Sequence, residues 1–341
     1  MNLKVPFLLV LSICSSLFYA QERDSIANKN EFTIAFGSCN KVKEPNPFWT
    51  QISALQPDLF IWGGDNIYAD TANMRKMKAM YNAQNANPAY AKVKREIPIM
   101  ATWDDHDYGK NDAGKEWRKK EESQKLFLDF LGVAKTDPRR EQKGIYYSKT
   151  FKKDGKQIKV IILDTRYFRS APTPSPVPGK RYTPALDSYN TLLGEQQWQW
   201  LREELDNNMA DYTIIMSSIQ LLSAEHGFET WGNFPKEIDR FLNLLRKNGD
   251  KHIIVLSGDR HISEFSKMDV KGLEYPLIDF TSSGLTHAYT AFDGEPNRYR
   301  VGKVVAQRSF GVIHIDLDRN KVIFQIIDAQ AETLEKLEQD Y

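Results

Sequence analysis

Most of the side chains here that could hold a metal or move a proton follow directly on short apolar runs. Leu59-Phe60-Ile61-Trp62 stops at Gly63-Gly64 and then presents Asp65, Asn66, Tyr68 and Asp70. Phe32–Phe36 opens into Gly37-Ser38-Cys39-Asn40, and Ile97–Thr102 into Trp103-Asp104-Asp105-His106-Asp107. Ile214-Ile215-Met216 leads to Ser217-Ser218-Ile219-Gln220, and Ile253–Leu256 to Ser257-Gly258-Asp259-Arg260-His261. Many carboxylates with an imidazole, a thiol and a phenol suit hard cations and trivalent iron better than a soft thiolate cage does.

Each cluster alone has a plainer reading. Asp65 could close an Asx turn, Asp104 to Asp107 could be a solvated acidic loop, and Cys39 could be a small buried hydrophobe. Recurrence favours a shared site, because ligands of open α/β sheets collect beyond the carboxyl ends of the strands. Trp103 and Tyr108 flank the acidic cluster and would wall a partly buried site in which His106 acts as an acid.

The elements that must position these groups are legible in outline. With 341 residues and 41% hydrophobic content, the chain can build one large α/β core or two modest ones. Its 46 basic against 45 acidic residues give no reason to expect nucleic-acid-specific binding or a polybasic anchor. Helices are expected over 47–55, 73–93 with a break near Pro88, 115–131, 194–209, and from Ile238 to a cap at Asn248-Gly249. A strand over 159–163 ends in Asp164-Thr165-Arg166, where the two charges should brace the sheet end or pair with each other. Strands over 277–280, 312–317 and 321–327 should form a second sheet, and the charged tail 329–341 a terminal helix or frayed end. The Pro-rich stretch 171–184 reads as a surface loop over the site or a disordered insertion, and 223–235, with Glu225, His226, Glu229 and Trp231, as a lining of the entrance.

Residues 1–20 read as a secretory signal, with Lys4, the apolar run Val5 to Tyr19, and cleavage near Ala20. Residues 21–341 then form a single domain, secreted or periplasmic, with no transmembrane segment and a monomeric state expected. Ile13 stands where a lipoprotein signal wants a small residue, which argues against lipidation at Cys14. Of the two cysteines, Cys14 leaves with the signal and Cys39 remains as a lone thiol.

Taken in order, Gly37–Asn40, Gly64–Asp70, Trp103–Asp107, Leu163–Arg166 and Ser257-Gly258-Asp259-Arg260-His261-Ile262-Ser263-Glu264 resemble the PhoD-like alkaline phosphatase and phosphodiesterase family. The resemblance implies a metallophosphatase fold, an α/β sandwich of two mixed β-sheets flanked by α-helices, with Fe3+ and Ca2+ at the strand ends. It implies Cys39, Asp65 and Tyr68 as iron ligands, Asp65 as the bridge to the second metal, and Asp259 and His261 as the last ligand pair. Asp105 falls where related phosphatases place an Asn ligand, and His106 where they place the histidine that protonates the leaving group. Ser217–Gln220 replaces an imidazole found in many relatives, which fits an oxygen-loving calcium ion. Larger members carry an extra N-terminal β domain, and none is expected here.

The implied activity is hydrolysis of a phosphate ester by a metal-activated hydroxide. His106 would be kept cationic by Asp107 or Asp104, and Arg260 would hold a phosphoryl oxygen or form a salt bridge within its loop. Phosphomonoesterase, phosphodiesterase and phospholipase D-like activities stay open, as does a non-catalytic phosphate- or metal-binding protein on the same scaffold.

Overall fold

The computed structural model describes residues 30–341 apart from 188 and 250. The expected signal, residues 1–20, and Cys14 within it lie outside the described residues. Two large mixed sheets pack face to face. The first has the order β15-β14-β13-β1-β2-β3, built from β1 (Glu31–Gly37), β2 (Leu59–Gly63), β3 (Ile99–Thr102), β13 (Phe310–Asp316), β14 (Lys321–Ile327) and β15 (Thr333–Asp340). The second has the order β12-β10-β11-β9-β8-β5-β4, from β4 (Tyr147–Lys153), β5 (Lys156–Ile162), β8 (Tyr212–Met216), β9 (His252–Ser257), β10 (Ser263–Met268), β11 (Leu277–Ser282) and β12 (Arg300–Val305). A small hairpin, β6 (Thr173–Pro174) and β7 (Tyr182–Thr183), lies apart.

The central strands read as unbroken apolar runs because both faces are covered. In β8, Ile214 and Met216 face the other sheet while Ile215 packs under the helices, the period of two expected of a strand. Between the sheets Phe280 meets Phe36 edge-on at 4.8 Å and Phe324 at 6.0 Å. Outside the first sheet lie α1 (Phe48–Leu55), α2 (Met74–Ala86) and α3 (Pro88–Glu96), where Trp49 and Tyr90 cover Trp62. Asn87 caps α3 through the amides of Ala89 and Tyr90, and Pro88 opens its first turn, which accounts for the break after α2. The short α4 (Asp105–Tyr108) and α5 (Lys120–Leu131) follow β3, and α6 (Gly194–Asp206) and α7 (Pro235–Lys247) cover the outer face of the second sheet. No helix among the described residues is long and apolar enough to cross a membrane.

Four expectations need correction. Strands over 277–280, 312–317 and 321–327 exist, and the last two pair with each other as β13 and β14, but the first belongs to the other sheet: β11 runs parallel to β9, while β13 also pairs antiparallel with β1, Ile34 opposite Ile313. The tail is neither helix nor frayed. It is the edge strand β15, with Leu337 opposite Phe324, and Tyr341 packs against Tyr212 and His252. Its charges sit where an edge strand needs them to discourage pairing with another chain. The helix expected from Lys115 starts at Lys120, because the Lys115 amide is held by the Arg169 carbonyl at 2.8 Å. The stretch 223–235 is largely interior, with Trp231 between Trp198 and Phe241.

Candidate active site

The parallel register aligns the strand ends that carry the chemistry. Gly37 lies opposite Trp62 and Gly63 opposite Thr102, so the chain turns off β1, β2 and β3 at one level and delivers Cys39, Asp65 and the Asp104–Asp107 cluster side by side. Gly64 is required there, since at φ +99° a Cβ would lie 2.6 Å from the Asp104 Cβ. Cys39, Asp65, Asp259 and His261 themselves take positive φ, between 51° and 65°. Such backbone costs about 1–3 kcal/mol per residue and persists only where the surroundings impose it, most often at functional sites.

Two adjoining groups of side chains result. In the first, ligand atoms of Cys39, Asp65 and His261 lie within 4.8 Å of one another. The Tyr68 hydroxyl joins them, donating to Asp65 Oδ2 at 3.1 Å and lying 3.2 Å from His261 Nε2. In the second, ligand atoms of Asp104, Asp105 and Asp259 also lie within 4.8 Å of one another, as do those of Asp105, Asp112 and Glu229. Burial pushes the Cys39 thiol up to about 11 and raises the Tyr68 phenol and the Asp65 and Asp259 carboxyls well above their ordinary ranges, with neighbouring negative groups adding to the effect. Cations fit this donor set: they would restore ionisation to groups that burial and their negative neighbours hold neutral. The buried Asp104 Oδ2 and Asp105 Oδ1 accept no hydrogen bond from the described residues.

His106 sits beside both groups. Its Nε2 is 3.9 Å from Asp105 Oδ1 and its ring stacks on Tyr68 with centroids 4.1 Å apart. Burial favours the neutral imidazole, but Asp65, Asp70 and Asp105 outweigh it and raise His106 to about 10. The carboxylate that touches the ring is Asp70, at 2.8 Å from Nδ1, and not Asp107 or Asp104. Asp107 is turned inward, accepting from the Asp104 amide at 2.6 Å and the Asn66 amide at 3.1 Å. Asp104 takes the Ser218 hydroxyl at 2.8 Å and the Arg166 guanidinium.

Arg260 is engaged through one nitrogen of its guanidinium, Nη2, while its buried Nε has no hydrogen-bond partner among the described residues. Its guanidinium pairs with Glu295 at 2.6 Å and lies 4.5 Å over the Phe228 ring, so the salt bridge reaches a different loop from its own. Asp164 braces the sheet end by accepting from Trp103 Nε1 and the Ile145 amide. Arg166 does not pair with the Asp164 carboxylate through its side chain. It joins Asp104 to Glu229, which also holds Arg169 at 2.8 Å.

Several contributors lacked a local signal. Asp112 donates its amide to Asp105 Oδ2 at 2.6 Å and accepts from Tyr182 at 2.7 Å. Arg181 and Tyr182 are tied by their amides to the Gly227 carbonyl, so the Pro-rich loop is pinned beside the cluster. Ser283 holds the Cys39 sulfur at 3.1 Å and the His261 amide at 2.7 Å, and His287 packs against His261 and Tyr68. Only Asp70, inside the stretch that follows β2, stood next to residues already singled out.

Known proteins share this arrangement of strands. The solved structure of PhoD superposes with a TM-score of 0.70 at 18% identity, over 91% of this chain and 68% of that one. A dimetal phosphatase from Danio rerio gives 0.55 at 12% identity, over 91% and 99%. Both are likenesses of fold. In sequence, alkaline phosphatase D of Bacillus subtilis (strain 168) is 24% identical over 311 residues, covering 76% of this chain. The chain spans about half the length of that relative, 52%. Residues 34–297, which include every candidate ligand, match the PhoD-like phosphatase family, and the chain belongs to that family.

Proposed function

We propose that this chain is a metal-dependent phosphoric-ester hydrolase. The observation that carries the reading is the juxtaposition of a buried donor set for cations and an imidazole fixed by its own carboxylate, His106 on Asp70. In this reading Cys39, Asp65, Tyr68 and His261 would hold Fe3+, since thiolate and phenolate suit a trivalent ion, and Asp105 and Asp259, with Asp65, would hold Ca2+. When bound, such cations acidify a water molecule and neutralise charge on the phosphoryl oxygens. Asp70 keeps the proton on His106 Nδ1 and stabilises the imidazolium, so Nε2 presents a proton to the departing oxygen. A pure binding protein has no use for such a donor. The enzyme is exported by the signal over residues 1–20 and works as a monomer.

The test is a metal analysis of the purified protein combined with assays on a phosphomonoester, a phosphodiester and a phospholipid. Iron and calcium in stoichiometric amounts with turnover of at least one ester are expected. A protein that takes up neither metal, or that hydrolyses none of the three when loaded, overturns the reading.

A further inference from the structure

A groove of about 600 Å³ lies between α2 and the loop after β1, and Tyr68 lines it. It therefore adjoins the candidate metal centre through the same phenol on which His106 stacks at 4.1 Å. An alcohol protonated by His106 would leave along that ring. Val42, Ala79, Met80 and Ala83 give the groove apolar lining. Lys41, Lys43 and Lys76 add three positive charges against the single carboxylate of Glu44. None of the three lysines pairs with a carboxylate among the described residues, and the Lys41 ammonium lies 5.3 Å from the centre of the Tyr68 ring.

We propose that this groove is the leaving-group subsite, and that it selects phosphate esters whose alcohol has an apolar body ending in an anionic group. The inference rests on the hydrolase reading and adds the class of alcohol. An apolar body displaces water from Val42 and Met80, and its anionic end meets unpaired ammonium groups with no carboxylate of their own to give up. A cationic end would face three like charges.

The test uses three phosphate esters of para-alkylphenols, so that the leaving oxygens are matched: tyramine (cationic end), 4-propylphenol (neutral) and 3-(4-hydroxyphenyl)propanoate (anionic). Each is assayed as monoester and as methyl diester with the metal-loaded protein. The anionic ester should exceed the cationic one in kcat/KM by about tenfold, as expected for a few exposed charge contacts. Lys76→Glu should remove most of that spread. Ala79→Trp, which fills the groove from an exposed helix position, should lower kcat/KM for all three aryl esters while ethyl phosphate changes less than twofold. Calorimetry with the non-hydrolysable phosphonate analogues separates the two levels of inference. Binding in the same charge order without any turnover overturns the hydrolase, and with it the leaving-group role, and leaves only an anion-selecting groove. Rates and binding that are equal across the three end groups, or an order unchanged by Lys76→Glu, overturn the subsite and leave the hydrolase standing.

Discussion

His106 Nδ1 lies 2.8 Å from both carboxylate oxygens of Asp70, and the Asp70 amide in turn donates to the His106 carbonyl at 3.3 Å. The strand-end loops after β2 and β3 are thus tied to each other twice at the residue proposed as proton donor. Removing His106 should slow esters of poor, alkoxide-like leaving groups by about a hundred- to ten-thousand-fold, the usual range for general-acid catalysis, and a nitrophenyl ester far less. Asp70→Asn should show the same selectivity at smaller size, since the ring stays in place. Equal losses on both substrates in either variant would remove His106 from that role.

The donor set predicts colour. Phenolate or thiolate bound to ferric iron transfers charge to the metal on absorbing visible light, whereas calcium, zinc and magnesium sites are colourless. Tyr68→Phe should abolish or strongly shift the band, because it deletes the hydroxyl that lies 3.1 Å from Asp65 and leaves the ring stacked on His106. Cys39→Ser should weaken iron retention, since a hydroxyl is much harder to deprotonate than a thiol. Absorption spectra and iron content of the three proteins check this, and an unchanged band in Tyr68→Phe would refute the ligand assignment.

The oxygen-rich group predicts dependence on calcium. Asp104, Asp105 and Asp259 offer carboxylates, with Ser218 on Asp104, and no imidazole belongs to that group. A calcium-selective chelator should therefore abolish ester hydrolysis reversibly while the visible band remains, and calcium should restore it better than zinc. Full activity after exhaustive chelation would count against the assignment.

Gly64 offers a test of how tightly the strand ends are built. An added Cβ would lie 2.6 Å from Asp104 Cβ and 3.2 Å from Ser218 Cβ at φ +99°, whereas at Gly155, φ +80°, it would meet nothing within 4 Å. Gly64→Ala should lose about 2–5 kcal/mol, from backbone strain plus overpacking, and Gly155→Ala only about 1–2 kcal/mol, from strain alone. Denaturant midpoints of the two variants measure the difference, and equal losses would show that the turn yields.

The contrast between these glycines also shows what could be read before the fold was known. Gly64 and the site loops were legible because an apolar run that halts at glycine and turns polar is a local pattern, set by the burial of both strand faces. Sheet membership was not local: nothing within 312–317 says that it pairs with β1, and only the antiparallel register of Ile313 on Ile34 decides it. Charge partners were lost for the same reason. Asp107 is adjacent to His106 in sequence, but on the short α4 it turns toward Asn66, and the carboxylate that meets the ring comes from another loop. The tail failed because its alternation is masked by charge. Leu334 and Leu337 pack against the core while Glu335, Lys336 and Glu338 guard an edge.

Asp279 supplies a pH test remote from the proposed metal ligands. Buried in β11, it accepts from the amides of Leu221 and Leu222 at 2.8 and 2.9 Å and from the Ser257 hydroxyl at 2.7 Å, and so anchors the chain leaving β8. Burial, the largest effect, raises it from 3.8 to about 6 despite these hydrogen bonds. A carboxyl with a raised folded pKa favours the folded state most when protonated. Its contribution is therefore fully present below about pH 4 and is lost as the pH rises through about 6. A shift of this size corresponds to about 3 kcal/mol. Asp279→Asn keeps an acceptor for the two amides and has no charge to bury. The stability difference between the natural protein and this variant should therefore move by about 3 kcal/mol in favour of the variant between pH 4 and pH 7, and then level off. Chemical denaturation of both proteins, metal-free, at unit steps across that window measures it. A difference that stays constant with pH would show that the hydrogen bonds from Leu221, Leu222 and Ser257 hold the carboxylate ionised in the folded protein.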